Sequence, residues 1–555
     1  MRLNLLLLIF VLTAVGCGSK GREALLEYRA TFAQGEFDKA AGLLKKVNLE
    51  KMKDSQLLRW MEYGRLAYAR KDFAQAINLF TVATELIDAQ YRKSVSIQGG
   101  KWLLNERSGE FFGATYERSW LFYHLALSHW RMYQEGGLPR EEARKHLFSA
   151  RAALLAWDSF FQEWQRGTGG KSLYRHDIAA KVVAGQVHEA TGVRADLQIS
   201  LQLYKDAYNL LNSLGPSYPS FNTQAAKYEE ALTKDGKFSP SNKNKEETIV
   251  TTQTKEFLRD KIIGLTLILR ANEMPEILKQ FGFDKADVVR AKTMKPSNVT
   301  FILEEGTMPA KVGKEIILGM RGLANLSDDP KTRAQILQIG GAVMATFAVD
   351  MLGLGPSKAS EVGRYVLTRD AMAVAATEVA IEFEIPEIPN SKKADSLWLV
   401  VKTSDGKEAL IRPWSLMSPV AEIGQQTLAE ESGRRIIRTG VRVAMKHAIA
   451  IVAAYALYKS MNSKGDNEFF AKLAAVASYV AATKGIAATE RADTRSWATL
   501  PRAIRLTDAA LPPGEYDVSL GTKAEQNTPG DLRPLGKITV AKNERAIFTY
   551  LVPQL

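Results

Sequence analysis

Within eight residues near the carboxyl end stand Glu490, Arg491, Asp493, Arg495 and Trp497. Two carboxyl groups beside an indole are a residue set for glycan cleavage, one acid protonating the leaving oxygen and the ring stacking on a sugar. Two arginines interleave the acids here, and a guanidinium beside a carboxylate keeps it ionised, which disables a general acid. The pattern therefore predicts an ion-pair network tying a helix to the next strand, with glycan contact through Trp497 as the alternative. The histidines His124, His129, His146, His176 and His188 do not stand in a His-Glu-x-x-His pattern, and His124 and His129, five apart, leave one helical face. No Gly-x-Ser-x-Gly turn or zinc pattern is present, and Gly353-Leu354-Gly355-Pro356-Ser357-Lys358 has phosphate-loop residues in the wrong order. The chain is thus expected to be non-enzymatic, without metal or cofactor.

Cys17 is the only cysteine of 555 residues. It follows one basic residue, a short apolar run through Thr13, and Ala14-Val15-Gly16, an export signal too short in its apolar part to span a bilayer. The site resembles a lipoprotein signal, which implies diacylglycerol on Cys17 and removal of residues 1–16. Gly18 is not the Asp that retains lipoproteins at the inner membrane, so in a cell with two membranes the resemblance implies the periplasmic face of the outer one. With no second cysteine, disulfides are excluded and stability must come from burial, which 46% hydrophobic residues can supply. A net charge of +13 on an exported chain favours anionic lipid, acidic glycan or acidic protein, not nucleic acid. The charge is spread along the chain and selects none of them.

The elements expected around these residues differ between the two halves. Trp60, Tyr63, Gly64, Ala67, Tyr68, Asp72, Phe73, Ala76, Phe80 and Ala83 resemble a tetratricopeptide repeat, and Tyr28, Phe32, Gly35, Phe37, Ala40 and Leu44 a preceding copy. Looser copies run from Tyr123 to Ala150 and from Ala184 to Ala207. The expectation is a multidomain chain: an α-solenoid of helical repeats over 17–220, a linker over 221–253, and an α+β domain over 254–555. Stacked repeats present a concave groove, with Tyr68 and Arg70 as candidate partner-binding residues. An insertion at about 91–119 is expected to plug that groove or to contact a partner. The second half reads as helices over Thr254–Leu269 and Pro275–Phe281, a hairpin from Asn298 to Leu318, and short alternating strands forming a small antiparallel sheet or sandwich. A helical insertion is expected at about 419–489, and Leu511–Val518 as an edge hairpin. The apolar stretches 336–354 and 441–461 are expected in a core, or else lying on a membrane surface with 469–483.

Together with Tyr116-Glu117-Arg118, Glu305-Gly306, Pro309-Ala310-Lys311, Asp493-Thr494-Arg495-Ser496-Trp497 and Leu511-Pro512-Pro513-Gly514-Glu515, the signal and repeats resemble a family of bacterial tetratricopeptide-repeat lipoproteins of the cell envelope. No activity is established for that family. The resemblance implies envelope location and a scaffold or adaptor role toward an envelope protein. Peptidoglycan binding and membership of a secretion or polymer-export complex are the alternatives.

Overall fold

The computed structural model describes residues 19–47, 53–96, 110–221, 249–318, 381–462 and 468–554, apart from short breaks at 136, 169–173, 175, 215–216, 294, 390–395, 523, 526–527, 530 and 543–544. Cys17 with the expected signal, residues 97–109 of the 91–119 insertion, most of the expected linker, and the 336–354 stretch with its neighbouring Gly-Pro turn lie outside the described residues.

The first half is helical. α1 (Ser19–Ala33) turns back as α2 (Phe37–Val47), α3 (Gln56–Ala69) as α4 (Phe73–Ser96), α5 (Thr115–Glu135) as α6 (Arg140–Thr168), and α7 (Ile178–Glu189) as α8 (Arg194–Leu214). Two of these turns share one geometry. Gly35 (φ 80°) lets Glu36 N–H reach Thr31 O at 3.2 Å, and Lys71 (φ 62°) lets Asp72 N–H reach Ala67 O at 2.9 Å. This is the left-handed helix stop that glycine adopts freely and Lys71 adopts at a cost of about 1 kcal/mol. Close approach within pairs rests on small residues. A Cβ on Gly64 would stand 2.6 Å from the Phe80 ring, and one on Gly185 2.6 Å from Tyr204. Helices α9 (Ile249–Leu269), α10 (Met274–Phe281) and α11 (Lys285–Thr293) follow.

The strands are β1 (Val299–Glu305), β2 (Val312–Leu318), β3 (Ile381–Glu387), β4 (Trp398–Thr403), β5 (Glu408–Pro413), β6 (Ser415–Ser418), then β7 (Ala503–Ala509), β8 (Gly514–Gly521), the two-residue β9 and β10 (Ala524–Glu525, Thr528–Pro529), β11 (Leu532–Val540) and β12 (Ala546–Val552). A mixed sheet has the order β12-β1-β7-β6 and an antiparallel sheet the order β11-β8-β4-β5. β1 runs parallel to β12, Val299 opposite Ala546, and antiparallel to β7, Val299 opposite Ala509. Three expectations are corrected. The hairpin of β1 with β2 does not form: β1 is buried along its whole length and takes β12 and β7, whereas the largely exposed β2 pairs with β3. The sheet containing β1 is not purely antiparallel. The 511–518 segment leads into an interior strand, β8, between β11 and β4, because its alternate residues Tyr516, Val518 and Leu520 enter the core between the sheets.

Between β6 and β7, α12 (Val420–Asn462) and α13 (Glu468–Thr489) form a helical hairpin. Forty-three residues make α12 about 65 Å long, so it outruns the core. Val420, Ala421, Ile423, Leu428 and Val443 are buried, but Leu457 and Met461 are exposed, which corrects the expectation that all of 441–461 is core. Among the described residues no helix is long and apolar enough to cross a membrane.

The molecule is layered: helices, mixed sheet, antiparallel sheet. One apolar core runs from Leu57 and Met61 of α3 through Trp120 and Val183 to Ile302, Leu506 and Ile547 of the mixed sheet, so the stretches 17–220 and 254–555 share it. A second core fills the space between the sheets, with Phe301, Leu303, Leu399, Val401, Trp414 and Val518.

Candidate functional site

The groove expected of stacked repeats would be where a partner is met, and here the helices pack against the chain's own mixed sheet. Alternation along β1 aims Thr300, Ile302 and Glu304 at the helices. Arg65 of α3, wholly buried, places its guanidinium 2.6 Å from Glu304 Oε2, an ion pair out of line for a hydrogen bond, and donates from Nε to Thr499 O at 3.1 Å. Tyr123 OH donates to the other Glu304 oxygen at 3.1 Å. Arg131 donates to Thr549 Oγ1 of β12 at 2.7 Å, and Ile547 N–H donates to Gln134 Oε1 at 2.9 Å, so α5 grips the edge strand.

A second anchor is Glu117. It accepts the Ala114 N–H at 2.6 Å at the start of α5, in the manner of a capping box. The same carboxylate takes Lys311 Nζ at 3.0 Å and the Trp497 N–H at 2.9 Å. Glu62, whose carboxyl is pushed up by burial, accepts from Tyr28 OH at 3.1 Å and Thr499 OH at 2.5 Å. Asp177 caps α7 through the Ala179 N–H and accepts from Ser418 of β6 at 3.0 Å, and burial raises it to about 6. His124 is enclosed by Tyr123, Trp497, Tyr68 and Phe80 at 4.9 to 5.6 Å, with neither ring nitrogen hydrogen-bonded among the described residues. Burial, and then Arg65, lowers it well below the ordinary imidazole value, so it is neutral.

The residues singled out from sequence fall along this seam but not into one site. Glu490, just after α13, pairs with Arg442 at 2.8 Å and Lys446 at 2.5 Å on α12. Arg491 is exposed. Asp493 forms a two-point pair with Arg495 at 2.7 and 2.8 Å, and Arg495 reaches on to Asp54 O and Ser55 Oγ before α3. Trp497 is 1% exposed inside the core, so it offers no platform to a sugar, which corrects the glycan-stacking alternative. Tyr68 is likewise covered, its hydroxyl 3.5 Å from Thr549 Oγ1, and is not open to a partner. Arg70 is half exposed and paired with Asp38 at 2.8 Å. Of the insertion, Phe111 is described and buried beneath Arg495, its N–H on Asp54 O at 2.6 Å.

Sequence reasoning missed a second place. A cleft of about 430 Å³ opens between α9, residues 295–297 and the β5–β6 corner. At its floor Lys261 Nζ lies 2.7 Å from Glu189 Oε2 and also contacts Asp508. Tyr204 OH and Arg545 donate to Glu189 at 2.8 and 2.9 Å, and Thr300 OH to Asp508 at 2.9 Å. Burial pulls Lys261 down, but Asp508 and Glu189 hold it above its ordinary value. Burial pushes Glu189 up, and Lys261 then pulls it below its ordinary range. A lysine held as a cation is no nucleophile, so the floor is suited to positioning charge. The sequence carried a signal for it: Lys261 interrupts the apolar face Leu258-Ile262-Leu265, and Asp508 stands where Ile504 and Leu506 predict another inward apolar residue.

No family model, curated protein or solved structure matches the chain.

Proposed function

We propose that this chain is a lipid-anchored protein of the bacterial cell envelope, acylated at Cys17 and held at the periplasmic face of the outer membrane, where it acts as a non-enzymatic scaffold for a protein partner. The helix pairs are read as tetratricopeptide-like repeats. The shared left-handed stop at Gly35 and Lys71, and the shared glycine-to-ring contact at Gly64–Phe80 and Gly185–Tyr204, support that reading.

The observation that carries the scaffold reading is the engagement of the helices by the mixed sheet through Arg65–Glu304, Arg131–Thr549 and, from α9, Lys261–Asp508, with Glu117–Lys311 tying down the segment after β1. Charges that could have served chemistry join helices to sheet, and the result is a body whose outer faces are left for a partner. On α6, Phe148 and Leu155 are 55% and 69% exposed and seven residues apart, one stripe of the helix.

Photo-crosslinkers placed at Phe148, Leu155 and Leu457 in living cells test the proposal. The expected result is capture of one envelope protein by the anchored chain and its loss in Cys17→Ala, while a probe at Tyr68 captures only the chain's own strand. Absence of any protein adduct from all three exposed positions, with the chain sedimenting on purified peptidoglycan, would overturn it in favour of a glycan-binding role.

A further inference from the structure

We infer that the cleft between α9 and the β5–β6 corner binds a short peptide through its free carboxyl terminus. The inference is independent of the scaffold reading. Its first support is charge. Lys295 and Arg412 line the cleft, and among the described residues neither has a carboxylate partner. Arg545 gives one guanidinium nitrogen to Glu189. A planar guanidinium with open donors is the group that recognises a carboxylate in two-point fashion.

The second support is an acceptor without a donor. Gln253 is 8% exposed, lines the cleft, and its Oε1 has no hydrogen-bond partner among the described residues. An unsatisfied buried carbonyl is costly, and a backbone N–H next to a terminal carboxylate would satisfy it. The third is shape. Phe257, Leu265, Ile268 and Pro296 supply an apolar wall for one side chain, Ile268 being half exposed, and Gly264 has open space where a Cβ would stand. The volume lies within the range of small-ligand sites.

The acidic rim narrows the ligand. Glu256 and Asp260 also line the cleft, with Asp260 2.7 Å from Arg290 and Glu256 3.8 Å from Arg259. A polyanion would meet them with repulsion. A single carboxylate set against the Arg412 side, followed by an amide and an apolar side chain, meets only complementary groups.

The test is titration of the full mature chain with N-acetyl-Ala-Ala, N-acetyl-Ala-Leu and N-acetyl-Ala-Phe, each as the free acid and the carboxamide, with acetate alone as a control, followed by calorimetry. At least one free acid should bind roughly tenfold or more tighter than its amide, since the charge-assisted contacts are lost in the amide. Arg412→Gln with Lys295→Gln, both on exposed residues, should abolish that ratio while thermal unfolding stays unchanged. Gln253→Leu should weaken acid and amide forms alike. Equal affinity of acids and amides, no binding by any of the six peptides, or binding by acetate as tight as by the peptides would each overturn the inference.

Discussion

Thr300, Ile302 and Glu304 of β1 face the helices while Val299, Phe301 and Leu303 face the second sheet, and the two faces of one strand are held by different physics. Toward the sheet the contact of Val299, Phe301 and Leu303 is hydrocarbon, with Phe301 edge-on to Trp414 at 6.5 Å and one buried pair, Arg505–Glu305, at the strand end, and the stabilisation of the apolar part scales with buried area whatever the exact pairing. Toward the helices, ion pairs and hydrogen bonds reach across apolar packing. Such groups gain little net energy over an apolar replacement, but they are costly to break singly, because the remaining charge is left dry. The sandwich face thus supplies stability, whereas the seam determines which strand lies against which helix.

The largest effect is expected of Arg65→Met, which strands Glu304 in the core. A loss of about 3–5 kcal/mol in urea unfolding is expected, with most of it returned when Glu304→Gln is added, since Gln keeps an acceptor for Tyr123. A double variant as unstable as the single one would mean that the seam acts through packing alone. On the other face, Leu399→Ala should cost about 2–5 kcal/mol through lost burial and a cavity, and no second-site polar change should restore it.

Acid distinguishes the faces further. His124 stays neutral in the fold with its proton affinity lowered by burial, while in the unfolded chain it titrates near 6.5. Below that pH the unfolded state takes up a proton that the folded state does not, so stability falls as pH falls. Between pH 7.5 and 5.5 the native chain should lose about 1.4 kcal/mol relative to His124→Phe, one proton's worth per pH unit below the unfolded value. His129, lowered to about 4 by burial and His146, is present in both proteins and cancels in the difference. Identical pH profiles would show that His124 carries no linkage. The smallest effect is expected outside both interfaces: Lys537→Ala, which removes an exposed pair with Asp517 at 3.7 Å, should change stability by less than about 0.5 kcal/mol.

Much of the fold was legible where a local pattern repeats. The aromatic and small-residue spacing of α3 and α4 announces a close helix pair, and the apolar run 299–303 announces a strand. β7 was hidden because Arg505 and Asp508 break its alternation, and β6 because four residues carry no period. Both irregularities answer partners far along the chain: Asp508 and Ser418 meet Lys261 and Asp177 of the helices, and Arg505 meets Glu305 of β1 at 2.6 Å. Trp497 illustrates the same limit. Beside acids and arginines it reads as a sugar platform, yet its N–H answers Glu117, 380 residues away, and its ring closes over His124.

Read locally, the residues were enough for the helical character of the first half and the strand-rich character of the second. Those properties follow from composition and from periods of 3.6 and 2 that each segment carries within itself. Only folding brought β1, β7 and β12 against the helices, Arg65 to Glu304, and Lys261 between Glu189 and Asp508. A buried charge has no local preference for its counter-ion. Its cost is removed only when the whole chain has folded and brought the two together.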